Sequence, residues 1–193
     1  MKEVIGLKTY SIEASQLKYH IPKLHTFDRV LLSGTIYTAR DAAHKKIKQL
    51  IAEKKTLPFD INGAIIYYAG PTPSPQHLPI GSCGPTTSGR MDIYTPDLLD
   101  LGLTAMIGKG ERSQNVIDAI VRNQAIYLCA IGGAGALACK AITSQEVIAF
   151  EELGCESVKR LQVKDFPLIV AIDANGVDIF QVGKQQYLDS LVG

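Results

Sequence analysis

Three prolines in five residues, within Gly70-Pro-Thr-Pro-Ser-Pro75 and with Pro79 close behind, constrain this chain more than any other feature. Each proline fixes φ and removes a backbone donor, so the stretch enters neither a helix interior nor a sheet interior. It reads as an ordered loop or irregular link. Before it, residues 29–39 read as a strand, β-branched in its second half. Residues 40–55 read as a helix with Ala42, Ala43, Ile47, Leu50 and Ile51 at helical spacing, and 64–69 as another strand. After it, Thr95 can cap a helix that has Pro96 in its first turn and Gly102 as its stop. Residues 103–107 read as a short buried strand, 113–123 as a helix and 125–131 as a strand. Gly132-Gly-Ala-Gly-Ala136 then opens a small-residue helix. Residues 147–150, 167–172 and 177–180 read as later strands, the last entered through a tight Ala174-Asn175-Gly176 turn. Strands and helices mix without strict alternation. The expectation is an α/β chain forming one domain over residues 1–193, with a mixed sheet or partial barrel.

A chain of 193 residues with 46% hydrophobic content can bury the core this needs. Its formal net charge of +1 excludes a general nucleic-acid binder, because no basic surplus displaces counterions from phosphates. No run approaches the roughly 18 apolar residues of a membrane span. Met1-Lys2-Glu3-Val4 opens without the apolar run of a signal peptide, so a cytoplasmic protein is expected. Cys83, Cys129, Cys139 and Cys155 include no Cys-x-x-Cys pair. No zinc or cluster cradle is legible in them, and they read as unpaired thiols.

Three basic positions lie at strand ends or in glycine-rich turns: Arg40, Arg90 and Lys109. Glycine lets backbone approach a ligand, arginine offers a planar fork to a carboxylate, and lysine adds a point charge. Two arginines and a lysine suit a small dicarboxylate, although spacing alone does not bring them together, and surface charges or ion pairs remain the alternative. Gly84-Pro-Thr-Thr-Ser-Gly-Arg-Met-Asp92 packs three hydroxyls beside a cation. Such hydroxyls either move protons or merely bond their own backbone in a capped turn, and both readings stay open. His44 either contacts substrate, orients Arg40, or lies on the helix surface. Asp92 is expected to pair with Arg90 or cap the next helix. Gly132-Gly133-Ala134-Gly135 lacks the dinucleotide spacing Gly-x-Gly-x-x-Gly, since position 137 is Leu137, and reads as close helix–strand packing.

Gly84 to Asp92 resembles the signature of the C-terminal domain, or β subunit, of class I fumarases and L(+)-tartrate dehydratases. Leu32-Ser-Gly-Thr35, Ala39-Arg-Asp-Ala-Ala-His44, Tyr68-Ala-Gly-Pro71, Ile107-Gly-Lys-Gly110, Ala130-Ile-Gly-Gly-Ala134 and Phe166-Pro-Leu-Ile-Val-Ala-Ile-Asp173 extend the resemblance in order along nearly the whole chain. It implies a swivelling β/β/α-type domain that closes over a 4Fe–4S cluster held by a separate α subunit, in an α2β2 assembly. It also implies that Arg40, Arg90 and Lys109 bind substrate carboxylates, that Thr86 is the catalytic base, and that the proton donor belongs to the α subunit. Thr87 and His44 are further candidates for substrate contact. Gly89 and Asp92 favour fumarate hydratase over tartrate dehydratase, which more often carries Met and Glu at those places. The alternatives are a tartrate dehydratase β subunit, a non-catalytic carboxylate- or protein-binding module, and a nucleotide-dependent enzyme using the Gly132 region.

Overall fold

The computed structural model describes residues 7–131, 133 and 135–192. The N-terminal stretch Met1-Lys2-Glu3-Val4, and Gly132 and Ala134 of the glycine run, lie outside the described residues. Seven strands form one sheet: β1 (Thr9–Glu13), β2 (Arg29–Thr38), β3 (Ile65–Tyr67), β4 (Ala105–Gly108), β5 (Ile126–Cys129), β6 (Ile142–Ala149) and β7 (Val158–Ile172). Among the described residues six α-helices accompany them: α1 (Leu17–His20), α2 (Asp41–Ala52), α3 (Thr95–Asp100), α4 (Gln114–Asn123), α5 (Gly135–Lys140) and α6 (Ile179–Val192).

The sheet order is β1-β2-β3-β4-β5-β7-β6, and a further antiparallel pairing of β2 with β7 closes β2, β3, β4, β5 and β7 into a mixed five-stranded barrel. The two longest strands make this possible. β7 lies along one edge of β2, while the other edge of β2 takes β1 near its start and β3 near its end. β7 likewise pairs with β6 along its first half and β5 along its second. An irregularity between Leu32 and Gly34 bends the ribbon, and Gly34 adopts φ +110, with Ala14 Cβ 3.2 Å from where a side chain would begin. Only glycine suits that conformation at so close an approach.

Residues on β3, β4 and β5 alternate between two buried clusters. Ile65, Tyr67, Ala105, Ile107, Ile126 and Leu128 join Leu32, Ile36, Leu161 and Val170 inside the barrel. Ile66, Tyr68, Met106 and Tyr127 face the other way, against Ala43 and Ile47 of α2, Leu98 and Leu99 of α3, and Val116 and Ile120 of α4. Strands buried on both faces read as continuous apolar runs, which is how these segments look in the sequence.

Several expectations need correction. Residues 177–180 do not form a strand. Asp178 Oδ1 accepts the Phe180 N–H at 2.9 Å and opens α6 instead. The strand read at 167–172 is the end of β7, which begins at Val158, and β6 begins well before residue 147. β1 carried no expectation. Thr95 does not cap α3 from outside. It sits within the helix, buried, and donates to the Met91 carbonyl at 2.9 Å.

Candidate active site

Strands β2, β3 and β4 are mutually parallel, so their C-terminal ends share one rim. Loops leaving such ends are the usual place for a ligand, because the sheet holds their side chains still. Arg40 follows the end of β2 and Lys109 follows β4 directly. The loop 84–92 is fastened over β3 and β4. The Thr86 N–H donates to the Tyr68 carbonyl at 2.7 Å, and Ala69 bridges Pro85 while Thr87 bridges Lys109. Ser88 locks the crossing. Its N–H donates to the Lys109 carbonyl at 2.9 Å, and its Oγ accepts the Lys109 N–H at 3.0 Å. Gly108 makes room for this, since a Cβ there would stand 2.0 Å from Ser88 Oγ.

Arg40 and Arg90 are drawn together by Asp41. Arg40 Nε lies 3.0 Å from Asp41 Oδ2, Arg90 Nη2 lies 3.0 Å from the same oxygen, and Arg90 Nε lies 3.0 Å from Oδ1. Arg90 Nη2 also donates to Thr86 Oγ1. Burial pushes the Asp41 carboxyl up, but its own backbone N–H, the Arg40 hydrogen bond and the two guanidinium charges together hold it below the usual carboxylate value. Glu156 stands by the same Arg40 nitrogen, with Oε1 3.4 Å from Nε, and its other oxygen accepts the Ala42 N–H at 2.9 Å in the first turn of α2. The loop carrying Glu156 is pinned by Lys159, whose Nζ donates to the Gly154 carbonyl at 3.1 Å and to Ser157 Oγ at 2.6 Å.

Beneath this rim lies a buried basin of aromatic rings around Arg112. Its guanidinium carbon sits 5.4 Å from the Tyr68 ring centroid and 4.9 Å from that of Tyr127. Nε donates to Asp92 Oδ1 at 2.7 Å and Nη2 to Thr95 Oγ1 at 2.9 Å. Asp92 therefore pairs with Arg112, not Arg90, and its second oxygen accepts the Ser113 N–H at 2.6 Å, just ahead of α4. Tyr127 Oη donates to the Gly110 carbonyl at 2.9 Å and meets Ser88 Oγ at 2.8 Å. Burial pushes that phenol up, so it keeps its proton.

His44 belongs to this basin and not to the helix surface, being 1% exposed. Its Nδ1 lies 3.2 Å from the Arg40 carbonyl oxygen, which can only accept, so the ring proton sits on Nδ1. Burial drives the imidazole pKa down to about 4. Among the described residues His44 Nε2 and Arg112 Nη1 have no hydrogen-bond partner: one buried acceptor and one buried donor.

The structure thus brings Arg40, Arg90 and Thr86 into one hydrogen-bonded group, and ties Lys109 to Thr87 and Ser88 through the backbone. Lys109 and Thr87 are exposed, and among the described residues no side chain pairs with Lys109 Nζ. Asp41, Glu156, Arg112 and Tyr127 carried no assigned role. Arg112 shares the glycine turn of Lys109, the one local hint, whereas nothing near Glu156 announces that it reaches α2. Fixed cations beside a hydroxyl can bind carboxylate and move a proton next to it.

The model of the family described as Fumarase C-terminus matches residues 2–183. The class I anaerobic fumarate hydratase of Escherichia coli K12 is 47% identical over 162 residues, covering 81% of this chain and 29% of that protein. Fumarate hydratase 2 of Leishmania major is 42% identical over 155 residues, covering 79% of this chain and 27% of that protein. The putative L(+)-tartrate dehydratase subunit beta of Methanocaldococcus jannaschii is 38% identical over 185 residues, covering 91% of this chain and 95% of that one. The chain spans less than a third of the two fumarate hydratases and nearly all of the tartrate dehydratase subunit. With that match running from residue 2 to residue 183, through every loop that builds the rim, the chain belongs to the fumarase C-terminal family.

Proposed function

We propose that this chain is the β subunit of an iron–sulfur hydro-lyase that reversibly hydrates fumarate to L-malate. Arg40, Arg90 and Lys109 bind the substrate carboxylates, Thr86 is the catalytic base, and Thr87 adds a contact from the same loop. His44 acts through the Arg40 backbone and not on substrate. The observation that carries this reading is the hydrogen bond from Arg90 to Thr86, formed by a guanidinium that shares Asp41 Oδ2 with Arg40. That two longer fumarate hydratases contain this unit, and a tartrate dehydratase subunit consists almost wholly of it, supports a separable subunit.

Taking a proton from the carbon beside a carboxylate builds negative charge on that carboxylate. Guanidiniums already in place stabilise it without reorganising. A threonine hydroxyl is a poor base at its free pKa. A charged donor on its oxygen favours the deprotonated form, and closure of the domain against a partner dries the site and strengthens that effect.

The described residues do not fit a cluster. Burial pushes the Cys83 thiol up to about 12, and among the described residues no three His, Cys, Asp or Glu side chains gather to hold a metal ion. On this reading a 4Fe–4S cluster, and the proton donor, belong to an α subunit in an α2β2 assembly. No helix among the described residues is long and apolar enough to cross a membrane.

A second reading, the β subunit of a tartrate dehydratase, is favoured by the near full-length match to the archaeal subunit. Anaerobic assays of fumarate hydration and L-tartrate dehydration, with this chain alone and coexpressed with a cluster-bearing chain from the same source, decide between them. Fumarate turnover that requires the partner is expected. Tartrate turnover in its place keeps the chemistry and changes the substrate. Activity on neither acid leaves a binding module as the account.

A further inference from the structure

We infer that Asp41 is a positioning residue that joins Arg40 and Arg90 into a single carboxylate receptor and stays in place when substrate binds. The inference rests on the reading of Arg40 and Arg90 as substrate ligands.

The contacts are divided unevenly among the guanidinium nitrogens. Asp41 engages Arg40 only through Nε, and Arg90 through Nε and Nη2. Neither Nη atom of Arg40, nor Nη1 of Arg90, makes a hydrogen bond among the described residues. Asp41 therefore takes the inner edges of the two forks and leaves donors over for a ligand. An arriving carboxylate need not displace it.

Charge argues in the same direction. Eviction of Asp41 would leave its carboxylate unpaired beside a dianionic substrate. Left in place, Asp41 and Glu156 offset part of the repulsion among Arg40, Arg90 and Lys109, which lets three cations share one rim. Asp41 is also well anchored, as the first residue of α2, with Glu156 bonded to the next N–H but one from Arg40. Gly70 allows Arg40 to lie flat here, since a Cβ at that position would come within 3.1 Å of Arg40 Cδ. Two long side chains that would otherwise sample many rotamers are thus ordered before substrate arrives.

The test has two arms. In the assembled enzyme, Asp41→Asn is expected to raise KM for the dicarboxylate about tenfold while kcat stays within about threefold, the split expected when ground-state and transition-state binding are lost together. An unchanged or lowered KM overturns the inference, because it would mean that Asp41 is idle or competes with substrate. The second arm uses the chain by itself and needs no activity. In nitrogen-15 NMR spectra, the Nε–H resonances of Arg40 and Arg90 are expected to be protected from exchange in the wild type and to broaden together in Asp41→Asn. Those of Arg112 and Arg122, bonded through Nε to Asp92 and Asp100, should not change. Arg40 and Arg90 signals that ignore the substitution overturn the inference. A wild-type complex inactive on both acids sinks the proposed function and leaves the resonances to decide the role of Asp41.

Discussion

Arg112 and the Arg40–Arg90 pair are the same side chain in opposite circumstances. The Arg112 side chain is 0% exposed, held between two tyrosine rings and bonded to Asp92 and Thr95. The Arg90 side chain is 47% exposed and keeps donors in hand. A buried cation with a carboxylate and aromatic faces around it directs its interactions at the protein, its one leftover donor, Nη1, being itself buried, and removing it strands its partners. A cation on a rim, steadied through one edge, retains the capacity to bind something else. Charge alone does not make a site; donors left over where a ligand can reach them do.

The largest effect that would test the contrast is on stability at the buried end. Arg112→Met leaves Asp92 half-buried without its cation and is expected to destabilise the chain by about 3–5 kcal/mol, measured by urea unfolding. A loss near zero would break the contrast, because Arg112 would then be dispensable packing. At the rim the expectation reverses. Arg90→Ala should lower kcat/KM of the assembled enzyme about 10²–10³-fold while shifting folding stability by no more than about 0.5 kcal/mol. A large stability change there would make Arg90 structural.

His44 sharpens the comparison through pH. Its folded pKa of about 4 lies below the 6.5 of a free ring. Between those values the unfolded chain binds a proton that the folded chain refuses. His44 thus contributes its full share of stability above about pH 6.5 and loses it as pH falls toward 4, by about 3 kcal/mol across the window. His44→Asn should flatten that part of the curve, read as urea midpoints at several pH values; parallel curves would refute the assignment. The smallest effect belongs to the exposed Arg122–Asp100 pair, 49% exposed on both sides, where Arg122→Ala should change neither activity nor unfolding measurably.

Most of the rim was legible in the amino-acid pattern. The hydroxyl-rich loop, the two arginines and Lys109 lie in turns whose glycines and chain punctuation are local signals. The basin was not legible, because burial of a charged side chain is a tertiary event. Arg112 in Gly108-Lys-Gly-Glu-Arg112 looks like one more solvated charge until Asp92 and two tyrosines close around it. β7 was half seen for a similar reason. Lys159, Arg160, Lys164 and Asp165 interrupt its first half, yet Lys159 is buried because backbone and serine oxygens surround its ammonium. Val177-Asp-Ile-Phe180 was misread because its β-branched residues suggested extension, whereas the Asp178 side chain had a helix start to cap.

The closing seam between β2 and β7 has a consequence for how the molecule comes into being. It joins residue 29 to residue 169 and residue 38 to residue 159, so the ring cannot shut until the chain has been made through β7. Contacts that distant in sequence are entropically costly to form and slow to find. On a ribosome, the segments bearing Arg40, Arg90 and Lys109 emerge long before the strand that holds their scaffold in a circle. A nascent chain halted ahead of β7 would carry every cation of the rim with no barrel to hold them, leaving apolar strand faces exposed to chaperones or to aggregation.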